Sequence, residues 1–395
     1  MSETVQQSPP NYLLERIIPL LGTEGLAVIV PDTGTWFEGS RTAEHDGAAY
    51  LLNRLLPRNG KVIRLNARRL QQVCGKCLDV RIREKLIGAG VITLEHKHLA
   101  GVRSRGYRVS IPPHVPYVYY TPQSKPARKR WAKHFTSLAD RLHSDDAQAQ
   151  VMSLRDASVQ IDRLRCEELC SESETSTAVM ALRYLNRILL GRWRGTQDDN
   201  GRLYTPYTGM PKRFRSCLQF DGEGVCELDT ASCTPLLFGA MMQLLGESPD
   251  TRYMEDCCGG RLYASVRALM RPDSEVKNLK STVLASLSAS GRKPLWPQAA
   301  EVWSAMRVLY PKLTLWVDTN RGGFAEFGNL PVMAMKAEAE IMLSVAAQAA
   351  KQGLTCATIH DAVLCPRSAS EELSEMIRGA FQKNLGLTPT VWSKA

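Results

Sequence analysis

Apolar residues recur at helical spacing over several stretches of this chain and gather in short runs elsewhere. A short amphipathic helix is expected near 12–21, and the apolar run at 26–30 reads as a strand. Between 47 and 110 the elements become shorter. An apolar-periodic helix at 48–56 leads to a turn at Arg58-Asn59-Gly60, a second helix starts near Asn66, and a third covers 79–88. Val91-Ile92-Thr93-Leu94, a Lys- and His-rich tip, and Gly106-Tyr107-Arg108-Val109-Ser110 then form a two-stranded ribbon.

Residues 111–127 alternate prolines (Pro112, Pro113, Pro116, Pro122, Pro126) with tyrosines and read as an extended linker. Arg128-Lys129-Arg130 opens a mostly helical stretch to about Trp193, whose last helix spans 177–190. From Asn200 onward strands and helices mix. The expected organisation is therefore 1–112, a linker at 113–127, a helical segment at 128–199 and an α+β core at 200–395. Three short helices followed by a ribbon predict a winged helix-turn-helix in the first of these. Its recognition helix, 79–88, offers Arg81, Arg83 and Lys85, and the ribbon adds Arg103 and Arg105. A winged helix used for protein contact has the same pattern.

Composition narrows the class. Apolar residues make up 44% and charged residues 23% of 395, which excludes a mainly disordered or collagen-like chain. No run approaches the roughly 18–20 apolar residues of a membrane span. The acidic and proline-containing start lacks the basic-then-apolar order of a signal peptide. Eleven cysteines stand without a disulfide-framework spacing, so a reducing, cytoplasmic setting is expected. The net charge is +10, yet residues 51–133 hold 19 basic and 3 acidic side chains, leaving the remainder net negative. Such a block suits a polyanion, nucleic acid first, although a well-solvated surface has the same composition.

Two aspartates carry the candidate chemistry. In Val225-Cys226-Glu227-Leu228-Asp229-Thr230 a short strand ends at Asp229, and Pro235 opens an apolar helix at 236–245. In Ala357-Thr358-Ile359-His360-Asp361-Ala362-Val363-Leu364 two apolar flanks predict a tight hairpin with Asp361 at its tip. The aspartates lie 132 residues apart, so only the fold can pair them. Between them a helix is expected to start at Arg271-Pro272-Asp273-Ser274 and to stop before Gly291, with Lys280, Leu284 and Ser288 on one face and Lys277 one turn earlier. Carboxylates that hold divalent ions, with lysines that neutralise phosphates, suit a nucleoside triphosphate. Each feature alone has a plain structural use as a turn, a cap or a solvated face.

Taken in order, these segments resemble the family A polymerases, the right-hand group that includes bacterial DNA polymerase I and the phage single-subunit RNA polymerases. The resemblance spans about 201–391. Gly201-Arg202-Leu203 and Arg213-x-Arg215 look like that family's approach to the palm, and Glu227-Leu228-Asp229 resembles its first metal-binding motif. Lys280 resembles the fingers-helix lysine. Asn329-Leu330-Pro331 with its following helix is similar to the late template-strand segment, and Ile359-His360-Asp361 resembles the third motif. The resemblance implies a compact palm and fingers preceded by a small helical thumb-like segment. It implies two Mg²⁺ ions on Asp229 and Asp361, Lys280 on the triphosphate with Lys277 and Arg271 in support, Arg202 and His360 at the primer end, and Asn329 near the template.

The pattern also departs from the family. Thr234 stands where DNA-making members carry a glutamate that blocks the ribose 2′-hydroxyl, and Leu284 and Ser288 replace an aromatic pair. Ala362 follows the His-Asp pair where an acid is usual, and Met333 replaces a glutamine. Sugar choice is thereby left open, and the first 200 residues hold no proofreading domain. The function expected is template-directed DNA synthesis for a phage or mobile element, with primer-template DNA, or RNA, and nucleoside triphosphates as partners. A primer-making or ribonucleotide-using enzyme, a template-independent tailing enzyme, and a non-catalytic replication initiator or regulator with a degenerate palm are the alternatives. Cys74, Cys77, His96 and His98 have zinc-like types, but they fall at a turn and at the ribbon tip, so packing and phosphate contact are expected there instead of zinc. Tyr117, Tyr119 and Tyr120 could stack on bases, or pack the linker against a domain. No Walker-type glycine loop is present.

Overall fold

The structure is a computed structural model. It describes residues 17–23, 27–38, 40–56, 62–64, 67–74, 78–96, 106–111, 115–136, 139–289, 296–321 and 329–394. They form two compact units. The first comprises Met1–Asp140, Val159–Arg194 and Gly209–Gln219, and the second Arg141–Ser158, Gly195–Thr208 and Phe220–Ala395. The segment 128–199, expected as one helical piece, contributes to both.

In the first unit the helices Thr42–Leu55, Ala67–Cys74 and Leu78–Gly88 turn Leu51, Leu55, Leu70, Ile82 and Leu86 inward. Gly47 lets the first helix pass close to the third, because a Cβ there would collide with the Ile82 side chain. The ribbon strands Ile92–His96 and Gly106–Val109 gain a third partner. Ile63–Arg64 pairs antiparallel with the latter, placing Ile63 opposite Tyr107. Two residues are too few for alternation to show in a sequence. The first half of the expected helix at 12–21 lies outside the described residues; Ile18–Leu20 is a single 3₁₀ turn.

The proline–tyrosine stretch is a correction to the linker reading. Tyr117–Tyr120 is a strand paired antiparallel with Val28–Pro31, in register Val28 to Tyr120. Its exit is held by Asp46, which is 1% exposed. That carboxylate accepts from the Tyr120 hydroxyl at 2.8 Å and from the Gln123 and Ser124 amides at 2.7 and 3.0 Å. A buried carboxylate is tolerated only when its lone pairs are met this way. The Tyr119 hydroxyl donates to Asn186 at 3.2 Å. These tyrosines therefore pack the stretch in place.

The second unit is built on the strand Glu223–Thr230. It pairs antiparallel with Ala362–Pro366 and, near its end, with the C-terminal strand Val391–Lys394. Ala362–Pro366 also pairs with Ala357–Ile359. Side chains alternate across the sheet. Cys226, Leu228, Val363 and Cys365 enter the core, against the helices Cys233–Leu244, Leu330–Lys351 and Ser370–Leu385. Glu227 and Asp229 occupy the opposite face.

The helix expected from Arg271 is shorter. Leu262–Leu269 ends just before Arg271, a turn follows, and the helix restarts at Leu279–Leu287 with the Asn278 side chain accepting from the Ser281 amide at 3.0 Å. Pro272 follows the earlier helix, where a proline blocks continuation. The helix after Asp229 also begins earlier than expected, at Cys233, so Pro235 lies at its third position. There its missing N–H is still one of the unpaired first-turn donors.

Candidate active site

Asp229 is the penultimate residue of the strand Glu223–Thr230 and lies opposite Ala362. Asp361 immediately precedes Ala362 in the two-residue turn His360-Asp361 between Ile359 and Ala362. The Thr230 amide donates to the Asp361 carbonyl at 3.2 Å. Two aspartates 132 residues apart in sequence thus meet at one end of adjoining strands. The turn is tight enough to hold His360 at φ 58°, a left-handed conformation that a residue with a Cβ adopts at a cost. On the other side, the chain leaves the sheet through Ser232 at φ 48° and enters the helix Cys233–Leu244.

The surroundings supply charge of both signs. Glu338, on the long helix Leu330–Lys351, is 2% exposed. Arg202 grips it with both arms of its guanidinium, Nε to Oε1 and Nη2 to Oε2, each at 2.9 Å. Asp198 orients Arg202 by accepting its amide at 3.0 Å. Burial pushes the Glu338 carboxyl up to about 7; Arg202 pulls against that and Asp361 adds to it. The buried Cys233 thiol is raised by desolvation first. Asp361 and Glu338 push it further, while Arg202 and Lys280 oppose them. Arg202, Glu338 and His360 line one small cavity beside the hairpin. Asp229 is paired with the Lys394 ammonium from the C-terminal strand. The His360 ring meets Tyr204 edge-on, with centroids 5.7 Å apart.

The structure therefore brings Asp229 beside the His360-Asp361 turn and Arg202 beside His360. Lys280 is exposed, Leu284 is half-buried, and Ser288 caps the helix end. Thr234 is half-buried in the first turn of the helix that follows Asp229. Lys277 is exposed and precedes the helix cap. Arg271 turns instead toward Asp273 and Glu301, 3.8 and 3.9 Å away. Asn329 caps the long helix, its side chain accepting from the Val332 amide at 3.0 Å.

The first unit brings further corrections. Arg83 is 8% exposed and donates to the Tyr107 hydroxyl at 2.6 Å, so it is a core residue of its helix. Lys85 is exposed and paired with Glu44 at 2.8 Å, and Arg81 is exposed. Arg103, Arg105, Cys77 and His98 lie outside the described residues, while Cys74 is buried with its thiol toward the Gly47 carbonyl.

Sequence reasoning missed Glu338, Lys394, Tyr204 and Tyr263. Tyr263 is half-buried, with its hydroxyl shielded and without a hydrogen-bond partner among the described residues, and Asp361 is one of the charges acting on it. Glu338 had one legible signal, a carboxylate within the apolar stretch of a long helix. A lysine near the chain end has none. Among the described residues no three His, Cys, Asp or Glu side chains cluster to hold an ion by themselves. Two carboxylates suit a hard cation that takes its other ligands from phosphate and water.

No family model matches this chain, and no curated protein matches it. Among solved structures it is similar to the POL domain of Pol1 from M. smegmatis in complex with DNA primer-template and dNTP. The TM-score is 0.35 and the identity 12%, over 64% of this chain and 55% of that one. A likeness of that depth sets no residue correspondence, and the chain spans little more than half of the structure it matches.

Proposed function

We propose that the second unit transfers nucleotides to a primer end, by template-directed synthesis that uses two Mg²⁺ ions and no proofreading. The observation that supports this is the adjacency of Asp229 and Asp361 at one end of adjoining strands, with Asp361 and Lys280 both acting on the buried Cys233 thiol. The donor set fits a divalent cation: both side chains offer hard oxygens, and Asp229 already holds a cation in the form of the Lys394 ammonium. When bound, the ions would lower the pKa of the attacking hydroxyl and offset charge on the leaving pyrophosphate. Asp229 and Asp361 would hold them. Lys280 would neutralise the triphosphate as charge develops, with Lys277 nearby. Arg202, kept rigid by Glu338, and His360 would orient the primer end. Thr234 is too short to exclude a 2′-hydroxyl, so both NTPs and dNTPs would enter. The first unit would act as a winged helix that holds duplex DNA, in the service of a phage or mobile element.

The test is primer extension by the full chain with labelled dNTPs or NTPs, with and without template and Mg²⁺. Asp229→Ala and Asp361→Ala are each expected to lower incorporation at least about a hundredfold while DNA binding persists. Near-normal incorporation by either variant would sink the two-ion assignment. A second reading, a DNA-binding protein with a degenerate palm, is favoured by the Lys394 contact, since an ammonium on Asp229 competes with a metal. Lys394→Ala separates the two. Incorporation at lower Mg²⁺ supports an enzyme whose terminal strand tempers metal entry, and incorporation absent from both proteins supports the degenerate palm.

A further inference from the structure

We propose that the first unit carries a second site, unrelated to the carboxylates, that binds a small oligophosphate anion in a cavity walled by five arginines. The cavity is about 210 Å³. Arg54 reaches it from the last turn of the helix Thr42–Leu55. Arg183 and Arg187 come from the helix Thr175–Leu189, four residues apart and so on one face. Arg192 and Arg194 follow that helix. Among the described residues no acidic side chain lines the cavity, and those that line it belong to the first unit.

Like charges four apart on a helix repel; Arg183 and Arg192 are half-buried, and Arg54 and Arg187 are exposed at the cavity mouth. Burial, with Arg187 adding to it, pulls the Arg183 guanidinium down to about 10. Burial also lowers the half-buried Arg192. Arg183 is held by the carbonyl and side-chain oxygens of Asn53, which orient it without neutralising it. Arg192 lies over the Phe135 ring, 5.1 Å from its centroid, which fixes its plane. A chain of phosphates answers all of this at once. It brings several negative charges in a small volume, and guanidinium forks match phosphate oxygens two at a time. A cavity of this size suits a tripolyphosphate, free or as part of a nucleoside triphosphate, and has no room for a duplex.

The experiment is titration calorimetry of the full chain with sodium tripolyphosphate, in EDTA and at matched ionic strength. EDTA removes the divalent ions on which phosphate binding at Asp229 and Asp361 would depend. Saturable binding is expected, unchanged in Asp229→Ala and weakened about a hundredfold in Arg187→Ala/Arg192→Ala. Arg187→Lys/Arg192→Lys keeps the charge and the fold but loses the fork, and is expected to bind about tenfold more weakly. ATP binding more tightly than tripolyphosphate would assign the ligand to nucleotides, and equal binding to the phosphate chain alone; both support the site. No binding beyond a chloride control would overturn it, as would equal binding by both arginine variants. Binding at these arginines by a single-stranded DNA of about 20 nucleotides, with none by tripolyphosphate, would assign the cavity to nucleic acid and also overturn the proposal.

Discussion

Glu338 lies between a guanidinium and a second carboxylate, and its acidity follows from that position. Its carboxyl is raised to about 7 by burial, against the pull of Arg202 and with the push of Asp361. A raised value means that the folded chain holds this proton more tightly than the unfolded chain does. Its contribution is therefore complete below the ordinary carboxyl range and is lost as pH climbs from there through about 7. Urea denaturation of wild type across that window should show the decline, and Glu338→Gln should flatten it; an unchanged slope in the variant would place the titration elsewhere. Arg83 and Arg81 make a second contrast. Arg83→Ala leaves the Tyr107 hydroxyl without its buried donor and should cost about 1–3 kcal/mol. Exposed Arg81→Ala should stay within about 0.5 kcal/mol. Equal losses in denaturant midpoint would contradict the burial of Arg83.

At the scale of elements, the hairpin that carries Asp361 depends on its first turn residue. His360 stands at φ 58°, where glycine is unstrained. In His360→Gly, relief of that strain is offset by the greater freedom of glycine in the unfolded chain, so stability should change by less than about 1 kcal/mol. His360→Val puts a branched side chain in the same backbone and should lose about 1–3 kcal/mol. Thermal unfolding of the two variants decides the matter, and a valine variant as stable as the glycine variant would show that the turn relaxes. The strand Val391–Lys394 has a different part. It completes the pairing of the strand Glu223–Thr230 and delivers Lys394 to Asp229, so it joins the stability of the sheet to the charge at that end.

Over the whole molecule, charge is unevenly shared. Residues 51–133, with 19 basic and 3 acidic side chains, fall within the first unit, whereas Asp229, Asp361 and Glu338 fall within the second. Among the described residues no helix is long and apolar enough to cross a membrane. If the first unit holds duplex DNA, affinity for the full chain should fall linearly on a log–log plot of binding against salt, by about 0.9 for each phosphate neutralised. Arg81→Ala should reduce that slope by about one while leaving sequence preference unaltered. Binding that ignores salt, measured by fluorescence anisotropy, would instead point to a surface made for protein contact.

Apolar periodicity and turn chemistry were enough to reveal the third helix of the first unit, the strand that ends near Asp229 and the His360-Asp361 hairpin, while the long helix after Asn329 was expected from the family resemblance. Each of those signals is local, and hydrophobic spacing and capping residues act over a few positions. The tyrosine-rich stretch escaped because prolines and tyrosines describe a connector and an edge strand equally well; the deciding partner, Val28–Pro31, lies far away in the chain. Helix limits near Arg271 and Cys233 escaped because propensity is weak at termini and tertiary packing sets the boundary. The grip of Glu338 on Arg202 spans 136 residues and the Lys394 contact to Asp229 spans 165. The inward turn of Arg83 and the meeting of five arginines around one cavity are of the same kind. The charge of such a side chain is written in the sequence, but whether it faces water, a partner or a ligand is decided by which distant surface the fold brings against it, because desolvation and Coulomb energy depend on that surface alone.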